Sequence, residues 1–249
     1  MQTYEFNTMR SVEDSYWWYT VLRRKVVEEV QTMLPGSRSV RVLDGGCGTG
    51  GMMHVLRETF PDLDITGIDF SSRAVCATRE RKVGSVINAS IDCLPFQDAS
   101  FDLIISLDVI LENRNVDDLN ALAECRRVLK KGGVLILNLT AFDLLRGQHD
   151  TAVNVGKRHT KKTFCPIVHQ AGFNIRKVQY WNALFFPLLM IWRPLSRLFE
   201  DESRPLSDLK PLPKVMDSLL TWLVLKEQKF AAYIQLPFGS SIFSVVQKK

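Results

Sequence analysis

Residues 42–51 read VLDGGCGTGG, and this stretch decides the fold. Its apolar start predicts a buried strand that ends near Asp44, glycines follow at positions 46, 48 and 50, and MMHVLRETF (52–60) has the pattern of a helix. Glycines permit positive φ and close approach of a ligand to the backbone, and the start of a helix offers free N–H groups. The stretch therefore predicts a strand, a turn and a helix that bind a nucleotide-like ligand; an ordinary tight turn is the alternative.

A second strand is predicted at residues 63–69 (LDITGID). It ends at Asp69, 25 positions after Asp44, and Ser71 is the expected N-cap of the next helix. A βαβ unit of this length brings the end of its second strand beside the turn of its first. A carboxylate there can accept hydrogen bonds from both hydroxyls of a ribose, whereas a capping or turn aspartate is the alternative for Asp69.

Strands and helices continue to alternate along the chain. Residues 101–107 (FDLIISL) form a continuous apolar run, which is typical of strands buried on both faces. Further strands are expected at residues 84–89 and 134–139, with helices at 73–82 and 117–129. This alternation predicts an α/β fold, doubly wound around a mostly parallel sheet, with ligands bound beyond the carboxyl ends of the strands.

We expect one domain, residues 1–249, with additions at both ends of this pattern. Residues 14–34 have the spacing of an amphipathic N-terminal helix. Residues 174–181 and 241–249 predict a sixth and a seventh strand, which makes the sheet seven-stranded. Residues 182–241, between these two strands, are then a helical insertion, longer than a minimal fold of this type needs.

The insertion contains two apolar stretches, ALFFPLLMIW (183–192) and MDSLLTWLVL (216–225). One interpretation is a pair of helices that bury their apolar faces against each other and the sheet. The other is an apolar cap or interfacial surface that admits a lipid-like acceptor and makes peripheral contact with a membrane. The longest uncharged run, residues 178–192, is shorter than the ~20 residues of a spanning helix and contains Pro187.

Composition favours a folded, reduced, cytoplasmic protein. Of 249 residues, 46% are hydrophobic and 24% are charged, which is ordinary for a globular domain. The net charge is +5, and only residues 157–162 (KRHTKK) form a dense basic cluster. Nucleic acid is therefore an unlikely partner. Five scattered cysteines without a CxxC pair indicate neither a metal site nor a disulfide framework, and the N-terminus lacks the pattern of a secretory signal.

Four ordered motifs together resemble the class I S-adenosylmethionine-dependent methyltransferases, in particular the small-molecule branch with the quinone-biosynthesis enzymes. The motifs are VLDGGCGTG, ITGIDFS, LPFQDASFDLIISLDVI and RRVLKKGGVLIL, and the resemblance covers about residues 40–140. It implies a Rossmann-like methyltransferase fold and S-adenosyl-L-methionine as cofactor. A nicotinamide-dependent oxidoreductase is disfavoured because the glycines follow GxGxG and not GxGxxG.

The resemblance also implies roles for individual residues. The glycines of the turn would let the methionine part and the sugar of the cofactor lie directly on the backbone. Asp44 would approach the methionine ammonium, and Asp69 would hold the ribose hydroxyls. Phe70 would flank the adenine, and the backbone carbonyl of Leu107 would lie near the methionine amine. The implied cofactor-binding residues are Arg23, Asp44, Gly46, Cys47, Gly48, Gly50, Asp69, Phe70, Ser90, Ile91 and Leu107.

The chain departs from the family pattern at two places. Ser90, followed by Ile91, stands where many relatives have an aspartate that binds the adenine amine, and a serine accepts that hydrogen bond more weakly. The segment LDVILENRN (107–115) lacks the histidine that often follows in relatives, so no role of that histidine transfers.

Both flanks of the central region share features with the same branch. SYWWYTVLRR (15–24) is similar to an N-terminal signature that folds over the cofactor, which implies that residues 1–36 cover the site and that Arg23 holds the methionine carboxylate. His149, Asp150, Arg158 and His159 would lie on the acceptor side.

Methyl transfer needs mainly alignment of the reacting atoms, and a base only for a hydroxyl or a protonated amine. His149, Asp108 and Tyr180 are the candidates for that base. The primary hypothesis is an enzyme that methylates a small-molecule or lipid-like acceptor. A catalytically silent S-adenosylmethionine-binding interaction module is the alternative from another class.

Overall fold

The structure is a computed structural model that describes residues 3–33, 39–196, 209, 211–231 and 233–249. Its strands are β1 Arg41–Gly45, β2 Asp64–Asp69, β3 Ser85–Asn88, β4 Phe101–Leu107, β5 Leu129–Thr140, β6 Phe173–Trp181 and β7 Ser241–Lys248. Its helices are α1 Thr3–Val12, α2 Trp17–Met33, α3 Gly51–Thr59, α4 Ser72–Arg81, α5 Asp118–Val128, α6 Gln148–Val153, α7 Lys161–Gln170, α8 Phe186–Ser196 and α9 Lys214–Ala231.

The strands form one seven-stranded sheet in the order β3-β2-β1-β4-β5-β7-β6. The first five strands pair in parallel, and β7 runs antiparallel to both β5 and β6. The predicted doubly wound, mostly parallel seven-stranded sheet is therefore confirmed. The strand order changes direction between β1 and β4, and ligands of such sheets bind at that switch point, beyond the carboxyl ends of the strands.

The two faces of the sheet carry separate cores. Alternate residues of β4 point in opposite directions: Ile104 packs with α5 and α7, whereas Leu103 and Ile105 pack with α2 and α3. All three side chains are buried. The prediction that residues 101–107 form a strand buried on both faces is confirmed.

One predicted boundary is wrong at the start of β5. We expected a turn at residues 130–133 and a strand from Val134, but β5 begins at Leu129. Leu129 pairs with Phe101 across an irregularity in the register of β4 and β5. A β-bulge of this kind lets a strand continue through residues with turn propensity, such as Gly132 with φ of +76°.

The N-terminal segment contains two helices where one was predicted. α2 packs on the sheet with Val21, Leu22, Val26 and Val30 buried, as its spacing predicts. α1 was not predicted; its Phe6 packs against Ala74 and Ala77 of α4. Residues 34–36 of the expected N-terminal segment lie outside the described residues.

The insertion between β6 and β7 contributes α8 and α9. α9 is attached to the domain by polar contacts, since the carboxylate of Asp217 accepts a hydrogen bond from Trp17 N (2.8 Å) and Glu227 accepts from Ala183 N (2.9 Å) and Leu184 N (2.7 Å). The expected burial of the apolar faces is wrong for much of both helices, because residues such as Ile191 and Trp222 are exposed. Among the described helices, none combines the length and hydropathy needed to cross a bilayer.

Candidate functional site

The glycine turn between β1 and α3 has the backbone conformation that its sequence predicts. Gly46, Gly48 and Gly50 have φ values of +89°, +57° and +83°. Gly46 N and Cys47 N both donate to the carbonyl oxygen of Ile68 in β2 (2.9 Å each), which fixes the turn against the neighbouring strand. The thiol of Cys47 points into the core, 3.8 Å from Thr78 Oγ1, so Cys47 can offer a ligand only its backbone.

Space around the turn differs from one glycine to the next. A Cβ at Gly46 would overlap the side chain of Val109, and one at Gly45 would overlap Ile91. A Cβ at Gly48 would meet only Met9 Cε, at 3.6 Å. The backbone at Gly48 is therefore the open part of the turn, where a ligand can lie directly on the chain.

Asp69 lies beside this turn, at the carboxyl end of β2. Its Oδ2 accepts a hydrogen bond from Gly48 N (2.9 Å), and its Oδ1 accepts from Ser71 N (2.8 Å). Burial raises the pKa of Asp69. The predicted proximity of Asp69 to the glycine turn is confirmed, and Phe70 next to it is 75% exposed, with its ring free to contact a ligand.

The residues expected near the adenine lie on the segment after β3. Ser90 forms an isolated bridge with Cys93. Ile91 is buried over the end of β1, against Gly45. Leu107, at the end of β4, is half-buried. The structure places these three residues around the carboxyl edge of the sheet, and their contacts with a cofactor stay predictions.

The carboxyl group of Asp44 is suited to binding a cationic ligand. The side chain is buried, and its Oδ2 has no hydrogen-bond partner among the described residues. Burial and the nearby charge of Asp69 raise the pKa of Asp44 to about 7, and Arg23 opposes this rise. A ligand with an ammonium group would supply the partner that this oxygen lacks, so the residues present fit the methionine end of S-adenosylmethionine.

The side chain of Arg23, a residue of α2, reaches the start of α3. Leu22 is in the core, whereas the guanidinium of Arg23 occupies the space that a Cβ at Gly51 would need. It is not free, however: it donates to Glu13 O (2.8 Å) and to Glu13 Oε2 (3.0 Å). Glu13 also accepts hydrogen bonds from Thr49 Oγ1 and from Arg81 Nη2. A carboxylate of the chain itself thus binds the arginine predicted for the methionine carboxylate.

Sequence reasoning missed Glu13 because it lies in the turn between α1 and α2, and α1 was not predicted. It also missed Tyr19, whose ring lies 5.6 Å from the guanidinium of Arg23. Burial, Glu13 and Asp108 raise the pKa of Tyr19, so its phenol stays protonated.

Asp108 follows β4 and joins three strands at their carboxyl ends. Its Oδ1 accepts a hydrogen bond from Asn138 Nδ2 of β5 (2.7 Å), and Asn138 Oδ1 accepts one from Trp181 Nε1 of β6 (2.9 Å). Burial raises the pKa of Asp108 to about 7, against the lowering effect of Asn138 and Arg158. A carboxyl group with this pKa can exchange a proton near neutral pH.

Glu112 is a second carboxyl group near Asp108 and is itself buried, and no sequence pattern predicts its position. One of its oxygens accepts from Thr140 N, and the other has no partner among the described residues. Burial and the charge of Asp108 raise the pKa of Glu112. Two neighbouring carboxyl groups disfavour each other's ionisation.

The structure separates the other two candidate bases. Tyr180 is buried on β6, and its hydroxyl accepts a hydrogen bond from Lys161 N (2.9 Å), which anchors the start of α7. His149 lies on α6, and its Nδ1 is buried without a partner within the described part of the chain. His149 therefore keeps a free ring nitrogen, whereas the geometry gives Tyr180 a structural role.

The remaining residues expected on the acceptor side hold the loops together. Asp150 and Arg158 form a buried ion pair (2.8 Å), and His159 Nε2 contacts Leu111 O (2.8 Å). Lys157 pairs with Asp118 (2.8 Å). Within the basic cluster at residues 157–162, Lys157, Arg158 and His159 thus make contacts inside the fold.

Backbone strain is concentrated at the same edge of the sheet. Asp108, Phe142 and Asn182 follow β4, β5 and β6, and have φ values of +60°, +56° and +56°. Residues other than glycine adopt this conformation at a cost of about 1 kcal/mol or more, and such residues cluster at functional sites. The glycine turn and the carboxyl groups of Asp44, Asp69 and Asp108 thus lie together at the carboxyl edge of the sheet.

Comparisons with known proteins agree with this description. Residues 42–133 match the family model described as "Methyltransferase domain". The chain is 38% identical over 125 residues to a demethylmenaquinone methyltransferase of Thermotoga maritima, with 49% of this chain and 52% of that protein covered. It is 31% identical over 131 residues to a malonyl-[acyl-carrier protein] O-methyltransferase of Enterobacter lignolyticus, with 52% and 51% covered.

A solved structure of Haemonchus contortus phosphoethanolamine N-methyltransferase 2 in complex with S-adenosyl-L-methionine shares the fold. The TM-score is 0.57 at 17% identity, and the match covers 90% of this chain and 52% of that one. Over residues 42–133 the chain is thus similar to methyltransferase domains. It spans about half the length of the curated relatives it matches.

Proposed function

We propose that this chain transfers the methyl group of S-adenosylmethionine to a small-molecule or lipid-like acceptor. The observation that carries the proposal is the unpartnered, buried carboxylate oxygen of Asp44 beside an open glycine turn. A cofactor with an amine and a ribose provides a partner for Asp44 and for Asp69. When bound, S-adenosylmethionine supplies an activated methyl group on a sulfonium.

The residues of the chain contribute alignment and a place for a proton. The glycine turn, Asp44 and Asp69 fix the position of the cofactor, and alignment of the reacting atoms supplies much of the rate increase in such transfers. Where the acceptor is a hydroxyl or a protonated amine, Asp108 accepts the proton that leaves it. A pKa of about 7 suits this role, since an effective base has a pKa near the working pH.

A row of four aromatic rings supports an apolar acceptor. Phe142, after β5, lies 5.1 Å from the ring of Tyr180 and 5.1 Å from that of Phe186, and Phe186 lies 5.0 Å from Phe238. The row connects the acceptor edge of the sheet with the insertion. A lipid-like acceptor fits an approach along this apolar row, from the side of α8. A cytoplasmic setting accords with five free cysteines.

Calorimetric titration tests the cofactor. We expect binding of S-adenosylmethionine and S-adenosylhomocysteine and none of NADH. Asp69→Ala should weaken binding by about tenfold or more, because two charge-assisted hydrogen bonds are lost. Asp64→Ala is the matched control, since Asp64 begins the same strand at its opposite, exposed end. Binding of NADH alone, or an unchanged dissociation constant of Asp69→Ala, contradicts the proposal.

The alternative, a silent cofactor-binding module, predicts binding without turnover. The pair of Asp108 and Glu112 argues against it, because a binding module has no need of two neighbouring carboxyl groups whose ionisation is disfavoured. Asp108→Asn should retain cofactor affinity and lose methylation of a hydroxyl acceptor. If no acceptor in a broad extract is methylated by the wild type despite tight binding, the silent module is the better description.

A further inference from the structure

The outer face of α8 is an apolar stripe that the described part of the chain leaves uncovered. Leu188, Ile191, Trp192 and Leu195 recur at the spacing of one helix face, and all four side chains are exposed. Ile191 is 72% exposed and Trp192 is 58% exposed. Single exposed apolar residues are common in proteins, but a continuous stripe of large ones marks an interaction site.

α9 carries a second stripe of the same kind. Val215, Leu219 and Trp222 lie along one face and are exposed, and Lys226 continues that face. The ammonium of Lys226 lies 5.6 Å from the centre of the Trp222 ring. After the helix, Tyr233 is also exposed, so large apolar and amphipathic side chains run the whole length of α9.

Among the described residues of α8 and α9, the exposed charged side chains all have one sign. The two acidic residues of α9, Asp217 and Glu227, are turned toward the domain and accept backbone hydrogen bonds there. α8 contains no acidic residue. The exposed charged residues of the two helices are Lys214, Lys226 and Lys229.

A groove beside α9 carries charges of both signs. It measures about 720 Å³, lies between α2, β6 and α9, and is lined by Lys25, Lys177 and Lys229 together with Glu28 and Glu29. Lys229 belongs both to the groove and to the exposed side of α9. An apolar stripe with tryptophan and flanking lysines has the composition of a helix that lies in the head-group region of a bilayer.

We propose that the exposed stripes of α8 and α9 dock on the surface of a bilayer that contains anionic lipids. The apolar side chains enter the boundary between head groups and acyl chains, and the lysines contact lipid phosphates. A second copy of the chain fits less well, because two such surfaces would bring lysines against lysines. This inference names a partner surface, and it does not depend on the transfer reaction proposed above.

Co-sedimentation with vesicles tests the proposal. Wild-type protein should bind mixed phosphatidylcholine and phosphatidylglycerol vesicles, more weakly at high salt, and bind pure phosphatidylcholine much less. The double variant Ile191→Glu/Trp192→Glu should partition at least about tenfold more weakly, because two charges must enter the apolar layer. Leu119→Glu is the matched control, since Leu119 is 65% exposed on α5, which packs on the opposite face of the sheet, and should bind like the wild type.

Three results overturn the proposal. The first is wild-type protein that stays in the supernatant with anionic vesicles. The second is equal loss of binding in the α8 double variant and in Leu119→Glu. The third is a dimer of the wild-type protein, seen by light scattering, that is absent in the Ile191→Glu/Trp192→Glu variant. A second copy of the chain would then occupy the stripes. Far-UV circular dichroism shows that each variant is folded, and binding of S-adenosylhomocysteine is measured separately by calorimetry, so that failure of membrane docking is distinguished from failure of the cofactor proposal.

Discussion

Asp44 is a residue whose carboxylate the fold places in buried surroundings that disfavour its charge. A buried carboxylate without a partner is costly, and the protein tolerates it at the end of β1, where the polypeptide turns. Because of that cost, the pKa of Asp44 rises to about 7 and the protonated form is favoured. A cationic ligand reverses the preference, which couples the charge of Asp44 to binding.

The sign of the resulting pH effect follows from the raised pKa. In the folded protein the pKa of Asp44 is about 7, against 3.8 for an ordinary aspartate. Its contribution to stability is therefore complete below the ordinary pKa and is lost as the pH rises through about 7. Asp44→Asn should make the ligand-free protein more stable at about pH 8, by on the order of 1 to 3 kcal/mol, and reduce the loss of stability between about pH 5 and pH 8.

Urea unfolding at several pH values measures this effect. Asp64→Asn is the control, because Asp64 is exposed and should leave the pH profile unchanged. The same dependence of unfolding free energy on pH in Asp44→Asn and in the wild type would contradict the assignment. Asp108, whose pKa is also about 7, contributes in the same direction and remains in both proteins.

At the scale of the element, the strand, turn and helix from β1 to α3 are determined locally. Gly46 must be glycine for two reasons, since its φ is +89° and a Cβ would overlap Val109. Conformational strain and packing can be separated, because Gly132 has a similar φ of +76° and meets only Gln247 Nε2, at 3.4 Å. A substitution at Gly132 therefore measures the cost of the backbone conformation alone.

Gly46→Ala and Gly132→Ala form the matching experiment. Both should lower the free energy of unfolding by about 1 to 2 kcal/mol for the left-handed conformation. Gly46→Ala should lose more, because Val109 must move, and its affinity for S-adenosylhomocysteine should fall at least about tenfold. Gly132→Ala should bind normally. Equal affinity in the two variants, measured by calorimetry, would show that the turn has no role in binding.

The insertion shows the opposite case of an element fixed by distant contacts. α9 has few buried side chains of its own, and its position depends on Asp217, Glu227 and packing on α2. Its apolar sequence suggested burial, yet the contacts that attach the helix are polar. An apolar pattern identifies a helix face but does not say what covers that face.

For the whole molecule, the strand order brings distant residues to one edge. Asp44, Asp69 and Asp108 end or follow β1, β2 and β4, which are neighbours in the sheet. The helices α1 and α2 then close over the turn through Glu13 and Arg23. A ligand that binds only this assembled edge should stabilise the entire fold.

S-adenosylhomocysteine should therefore raise the melting temperature. At a hundredfold excess over its dissociation constant, the gain is about 2.7 kcal/mol, which for a domain of this size corresponds to a shift on the order of 5 to 10 °C. Differential scanning fluorimetry measures it. NADH should give no shift, and Asp69→Ala should shift less at the same ligand concentration. A shift with NADH equal to that with S-adenosylhomocysteine would contradict a specific site.

The sequence by itself determined the central sheet, the glycine turn and the position of Asp69 beside it. These features follow from local backbone preferences, hydrophobic periodicity and the fixed length of a βαβ unit, all of which are written in consecutive residues. The tertiary structure alone decided that Glu13 binds the guanidinium of Arg23, that Glu112 lies near Asp108, and that α8 and α9 leave their apolar stripes exposed. These contacts join residues far apart in the chain, and their energies depend on burial, which no local pattern specifies.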